Sequence, residues 1–444
     1  MPKSFIQKIK QPTQKQKMKE PKMFSKIKGT YDLMSDKMIC WQKVENHIRT
    51  WFANYHFQEI RTPIMEYRGV FDKAAQHSEM ISKETYTFTD KKRRFITLRP
   101  EGTAGVIRSY VENKLDKTSK LHKFFYYGPF FRYERPQKGR YRQFHQLGVE
   151  ILGQSSPFID VEAIVLAYET LKSLGICDIT VRINSLGCTT TYNNYLQVFK
   201  KYLQTYYQKL CPLCQERFEK NILRIWDCKN CHKEPFLKRA PRIFDYLTTD
   251  SKIRFLQVLE TLKQMNVNFE LCHDLVRGLD YYTHSVFEIV YNNEKGHQAV
   301  LGGGGCYDNL VTLFGGTPSP GIGFALGMER LMSILTSYPF CSKNTLSSLD
   351  AFILVSAPRF FYQGLTLANN LRHQGFSVDL NYQFLSFSKI FKQALKHAPS
   401  YLLILGQKEF VNNQITIKNI QTQQQITILQ KDVVSYFKNN KELN

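Results

Sequence analysis

Residues 131–150 read FRYERPQKGRYRQFHQLGVE, with five Lys/Arg, two Glu and four aromatic residues around Pro136 and Gly139. A buried strand cannot hold so many charges, and a disordered tail would not hold so many aromatics. Written on a strand, side chains alternate between two faces. His145, Leu147, Val149 and Ile151 make one mostly apolar face. Phe144, Gln146, Gly148 and Glu150 make the other, an aromatic plane, an amide and a carboxylate beside a glycine gap. The preceding strand brings Arg132, and the loop brings Glu134 and Arg140. Such a face reads as a site floor: cations for phosphate, Phe144 to stack a base, Gln146 and Glu150 for a polar ligand with donors. The competing reading is a surface hairpin with solvated charges.

A second set of residues suits a metal. Cys211 and Cys214 form one C-x2-C pair, Cys228 and Cys231 another, with 13 residues between the pairs. Two such knuckles suit tetrahedral Zn2+, although this spacer is a little short and His232 is a spare ligand. The alternative is four free thiols. Cys40, Cys177, Cys188, Cys272 and Cys341 read as ordinary packing residues. LGGGGCYDNL (301–310) reads as a strand-to-helix glycine turn, where backbone can approach a ligand closely. It is not G-x-G-x-x-G, so it implies no dinucleotide site.

Elements must position these groups. Residues 38–55 have helical periodicity, and EIRTPIMEY (59–67) reads as a strand broken by Pro63. RRFITLRPEGT (93–103) is a strand running into a turn, followed by a helix over 103–113 with Thr103 as N-cap. Residues 123–153 form a hairpin with a charged loop, and 160–174 an amphipathic helix. Residues 188–255, with both cysteine pairs, read as an insertion. Strand patterns return at 284–301 and 321–326, with a helix from Gly327. Residues 341–349 read as a linker. Beyond it, apolar runs alternate with helical patterns, which predicts a small α/β domain at 350–444.

The net charge of +23, from 61 Lys+Arg against 38 Asp+Glu, points to a polyanionic partner, nucleic acid before a membrane surface. No apolar run approaches the ~18 residues of a spanning helix. Residues 1–23 are Lys- and Gln-rich, lack Arg and contain no apolar core of a secretory signal, so they read as a solvated basic arm. Ten cysteines without such a signal suggest reduced thiols and a cytoplasmic location.

The stretch at 130–150 resembles motif 2 of class II aminoacyl-tRNA synthetases, in the form typical of histidyl-tRNA synthetases. Other resemblances follow in order. KGTYDLMS (28–35) and EIRTPIMEY resemble the N-terminal segment and motif 1, and LRPEGTAG (98–105) the amino-acid-binding turn. LVRGLDYYTHSVFE (275–288) resembles a histidine-specific signature, and GIGFALGMERL (321–331) motif 3. The resemblance covers the chain from about residue 24. It implies an α+β catalytic domain over 24–340, an antiparallel sheet flanked by helices, with the small insertion at about 188–255 and an α/β anticodon-binding domain at 350–444. It implies a homodimer joined through motif 1.

The implied activity is histidine–tRNA ligation: histidine and ATP form histidyl-adenylate, and the histidyl group then passes to tRNA-His. An anionic nucleophile meeting a polyanion needs fixed cations. By resemblance Arg132 and Arg277 serve the α-phosphate, with Arg277 also meeting the histidine carboxylate and sharing electrostatic work that Mg2+ performs in related enzymes. Arg140 and Arg330 hold the outer phosphates of ATP, while Glu134 and Phe144 grip adenine. Glu101, Thr103 and Gln146 receive the ammonium, and Glu150 and Tyr282 read the imidazole, with Tyr281 nearby. Polar pockets discriminate well without a separate editing domain. Three alternatives stay open: Glu101 as a helix cap, Arg330 paired with Glu329 or Asp308, and Tyr281 as core. The family usually carries Arg where this chain has Cys306. Any zinc is structural, since some members carry Ser at such positions. The alternative function is a non-catalytic paralogue, a regulatory subunit or a sensor of uncharged tRNA; an intact LVRGLDYY and a C-terminal domain argue against it.

Overall fold

The computed structural model of the chain describes residues 24–75, 78–118, 120–137, 139–293, 298–341 and 349–441. The arm at 1–23 and residues 342–348 of the expected linker lie outside the described residues. The described residues fall into two compact units, 24–34 with 40–341, and 35–39 with 349–441.

The first unit is built on an eight-stranded sheet. In spatial order its strands are Gln58–Glu59, His122–Phe131, Gln143–Leu152, Gly321–Gly327, Gln298–Cys306, Thr283–Asn292, Ile179–Ser185 and Phe269–Leu271. The motif-2 hairpin pairs His122 with Leu152 through to Phe131 with Gln143. This register buries Leu147, Val149 and Ile151 completely. Inner pairings are antiparallel, but both outermost pairings are parallel. The expected antiparallel sheet is thus present in the six inner strands, with one short parallel strand added at each edge. Parallel neighbours need a long crossover, and helical segments separate the two strands of each parallel pair in sequence.

Helix Pro157–Ser173 packs ten buried residues beside this sheet. Its start is set by Ser156, whose side chain accepts from Phe158 N, and by Pro157 in the first turn. Thr103 is not the N-cap of helix Thr103–Glu112. Gly102 holds that position, and the Glu101 carboxylate accepts from Thr103 N (2.6 Å) and Ala104 N (2.9 Å). A carboxylate two residues upstream reaches these N–H groups better than a threonine hydroxyl already committed to Glu150. The glycines of LGGGGCYDNL also depart from expectation: Gly302 to Gly305 lie inside strand Gln298–Cys306, and the helix begins only at Leu310.

Helices Thr189–Gln204, Pro212–Lys220 and Thr249–Gln264 fill the 188–255 region. Its buried Phe199, Cys214, Phe218 and Trp226 share one core with Leu186 and Val286, so it packs onto the sheet. Cys40 and Cys341, expected as packing residues with reduced thiols, are bonded to each other with Cα atoms 5.4 Å apart. Cys177 is exposed, while Cys188 and Cys272 are half-buried.

The second unit holds a five-stranded sheet in the order Val378–Leu380, Ala351–Val355, Tyr401–Leu405, Gln414–Asn419, Gln425–Leu429. The first three strands are parallel and the last two form an antiparallel hairpin. Ile353, Val355, Leu403 and Ile415 sit in its core with Leu367 and Leu371 of helix Phe361–His373.

Candidate active site

A cavity of about 420 Å³ opens above the motif-2 hairpin. Arg132, Glu134, Arg140, Phe144 and Gln146 line its floor, as the strand alternation requires. Arg132 is aimed by two contacts: Nε donates to Pro100 O (2.9 Å), and the guanidinium stands 5.1 Å from the Phe144 ring centre. Glu134 lies 4.0 Å from Arg132 and 3.5 Å from Arg140. Burial lowers the Arg132 pKa from its ordinary value, against the pull of Glu134, Glu84 and Glu101.

Arg330 comes from the motif-3 helix Met328–Leu335. It does not pair with Glu329 or Asp308. Its Nη1 donates to Val300 O (2.6 Å) and its Nε to Gly139 O (3.3 Å), which fixes it on the cavity wall. Burial, then repulsion from Arg140, lowers its pKa. Glu329 instead accepts from Tyr31 Oη (2.7 Å) and His145 N (2.8 Å), while Asp308 meets His284.

Arg277 lies on a loop pinned by buried Asn184, whose Nδ2 donates to Leu275 O (3.0 Å) and His273 O (3.3 Å). Nη1 donates to Glu288 (2.5 Å) on strand Thr283–Asn292. Gly303 makes room for it, because a β-carbon there would lie 2.9 Å from Nη1. Burial pulls the Arg277 pKa down, but Tyr282 and Glu288 outweigh it and leave the group above its ordinary value. Arg277 Nε and Gln146 Oε1 are buried atoms of the cavity lining with no hydrogen-bond partner among the described residues. Both atoms are therefore open to a polar partner, water or ligand.

The far end is polar and aromatic. The Tyr281 and Tyr282 rings lie 4.7 Å apart with their planes tilted by 42°, and Tyr281 meets Tyr307 edge-on at 5.8 Å. Tyr281 therefore both packs in the core and lines the cavity. Glu101 lines the cavity too, while also capping the helix. Glu150 does not. It is 1 % exposed and lies beneath the lining, receiving Thr103 Oγ1 (2.7 Å), Tyr126 Oη (3.3 Å) and Tyr307 Oη. Burial pushes Glu150 up to about 8, against the hydrogen bonds from Tyr307 and Thr103. Burial likewise raises Glu101, opposed by the Ala104 and Thr103 N–H groups and by Arg132.

The cysteine pairs also converge. Sγ atoms of Cys211, Cys214, Cys228 and Cys231 lie within 4.8 Å of one another, and three of these residues are buried. His232 is not among them; its Nδ1 faces the carbonyls of Cys228 and Lys229 at 3.0 Å.

The family model for histidyl-tRNA synthetase matches residues 29–222 and 229–331, and that for an anticodon binding domain matches 350–440. The chain belongs to the histidyl-tRNA synthetase family. It is 86% identical over 422 residues to histidine–tRNA ligase of Onion yellows phytoplasma (strain OY-M), covering 95% of this chain and 100% of that protein. It is 44% identical to histidine–tRNA ligase of Acholeplasma laidlawii (strain PG-8A), covering 91% and 96%. The crystal structure of apo S. aureus histidyl-tRNA synthetase superposes with a TM-score of 0.79 at 33% identity, covering 94% and 100%.

For a histidyl-tRNA synthetase, the lining also holds groups that sequence reasoning left without a role: Tyr126, Glu288, Tyr307, Glu79 and Arg224. Tyr307 lies two residues after the last glycine of the run, and Glu288 closes the LVRGLDYYTHSVFE signature, so both had a signal. Glu79 and Arg224 had none, because they arrive from separate segments.

Proposed function

We propose that this enzyme joins L-histidine to tRNA-His in two steps. A histidine carboxylate oxygen attacks the α-phosphorus of ATP, giving histidyl-adenylate as pyrophosphate leaves. The terminal ribose hydroxyl of the tRNA then attacks the acyl carbon, and AMP leaves. The carrying observation is that Arg132, Arg140, Arg277 and Arg330 face one cavity that Gln146, Tyr126, Tyr281, Tyr282 and Tyr307 also line. That arrangement suits a polyanion meeting a small zwitterion.

In this reading Arg132 and Arg277 stabilise charge developing on the α-phosphate, and Arg277 also orients the histidine carboxylate. Arg140 and Arg330 receive the outer phosphates of ATP, which arrives with Mg2+ as substrate. Glu134 and Phe144 hold adenine. Glu101 and Gln146 accept the ammonium, with Thr103 positioned beside them. Tyr281 and Tyr282 meet the imidazole, and Glu150 acts from beneath through Tyr307 and Tyr126. Arg132, Arg277 and Arg330 are residues a non-catalytic paralogue would be free to lose.

The domain over 350–444 reads the anticodon, helped by ten Lys/Arg against five Asp/Glu. The catalytic domain spans 24–340, followed by the linker at 341–349, and the arm at 1–23 adds cations for the tRNA. The enzyme works as a cytoplasmic homodimer joined through motif 1. Cys211, Cys214, Cys228 and Cys231 hold a structural Zn2+; four soft thiolate donors in one cluster fit that ion. Amino-acid-dependent ATP–pyrophosphate exchange, across all twenty amino acids without tRNA, tests the reading. Exchange with histidine alone is expected. No exchange from folded protein with Mg2+ would overturn it.

A further inference from the structure

The sulfur spacing decides what kind of site the four cysteines make. Cys211 and Cys228 Sγ stand 3.6 Å apart, and all four residues are free of disulfides. A disulfide needs about 2.05 Å. Four thiolates each about 2.3 Å from one ion stand ~3.8 Å from one another. Backbone N–H groups point at two of the sulfurs: Cys211 N lies 3.4 Å from Cys231 Sγ, and Cys231 N 3.5 Å from Cys228 Sγ. Such donors stabilise sulfur-centred charge around a metal.

The cluster is tied to the active-site wall. Cys211 precedes helix Pro212–Lys220, which carries Cys214 and, one turn on, Arg217. Arg217 forks onto Glu79, with Nε donating at 2.8 Å and Nη2 at 3.0 Å, while Nη1 donates to Arg224 O at 2.8 Å. Glu79 opens helix Glu79–Lys83; the Ser78 hydroxyl just before it donates to Gly278 O at 3.1 Å. Gly278 follows Arg277. Glu79, Arg224, Arg277 and Gly278 all line the cavity, whereas Arg217 does not.

We propose that the four cysteines form a Zn2+–thiolate centre that acts on the active site at a distance, through Arg217, by holding Glu79, Arg224 and the Arg277–Gly278 turn in place for ATP. This rests on the zinc assignment above and extends it from a fold staple to a positioning device. Arg217 is a positioning residue. A planar fork that meets a carboxylate with two N–H groups and a carbonyl with a third is not reproduced by lysine.

Full-length protein from zinc-supplemented cells is expected to carry one zinc per chain by elemental mass spectrometry, and Co2+ exchange should give thiolate-to-metal charge-transfer absorption. C214S should lose the metal. Its KM for ATP in pyrophosphate exchange should rise about tenfold while kcat stays within about twofold. R217M should keep the metal yet show the same rise in KM, with R217K intermediate. The C214S/R217M double variant should be no worse than either single one, because both break one connection. Protein without zinc, its four thiols titrating freely, would overturn the metal site. Zinc present with an unchanged KM in R217M would overturn the coupling alone. Should C214S fail to fold, R217M and R217K decide the coupling, since both leave every ligand intact.

Discussion

Gly148 is the glycine gap in the motif-2 strand, and the structure shows what fills it. Tyr126 is its cross-strand partner, and the Tyr126 ring lies over it. A β-carbon at Gly148 would stand 2.1 Å from Tyr126 Cζ and 2.3 Å from Oη. That is more than about 1 Å inside ordinary contact. The ring has no retreat, because a β-carbon at Gly102 would stand 2.2 Å from the same Cζ. Gly148→Ala must therefore turn the ring into the cavity or push it against the start of helix Thr103–Glu112. Overpacking of this kind costs about 1–3 kcal/mol. Turning the ring also breaks the Tyr126 hydrogen bond to Glu150 and crowds the end of the cavity assigned to histidine. Thermal unfolding and pyrophosphate exchange measure the two consequences. Stability should fall by that amount, and the KM for histidine should rise about tenfold or more with little change for ATP. Replacing the ring as well, in G148A/Y126A, should cost less than the two single changes added together. An alanine variant with wild-type melting and wild-type histidine KM would refute the reasoning.

Three further outcomes follow from buried charges. Glu150 folds with a pKa of about 8 against about 4.3 in the unfolded chain, so the folded state keeps a proton that the unfolded chain sheds. Unfolding free energy should then fall as pH rises between those two values, and Glu150→Gln should remove this slope in urea titrations on either side of the window; equal slopes would refute it. Asp160 is held by Arg254 (2.8 Å), Ser285 (2.8 Å) and the Cys306 thiol (3.3 Å), so Arg254→Met should strand a buried carboxylate and cost about 3–5 kcal/mol in urea unfolding. Arg277→Lys keeps the charge but loses the fork, and kcat/KM in pyrophosphate exchange should drop about a hundredfold; a change within threefold would count against its assigned role.

The motif-2 hairpin was legible residue by residue because a strand forces alternation. Once Leu147, Val149 and Ile151 are assigned to the core, Phe144 and Gln146 must face the other way, and they do line the cavity. The paired C-x2-C spacing likewise contained its own cluster. Local pattern failed where a nearer donor or a neighbouring strand decided the outcome. Glu101 outcompeted Thr103 for the start of its helix, and the glycine run stayed in its strand because it pairs with a strand on each flank, whose close backbone leaves no room for β-carbons.

By itself, then, the sequence determined which residue types stand on each face of each element, since that follows from local periodicity. Only the tertiary structure decided that Glu150 lies beneath the cavity and not in it, and that Tyr307 covers it. It alone brought Arg217 from the cysteine helix to Glu79 at the cavity wall, and Cys40 to Cys341. These contacts join segments 138, 157 and 301 residues apart. No short-range pattern encodes such pairs, because they arise from the packing of separate elements into one sheet-based core.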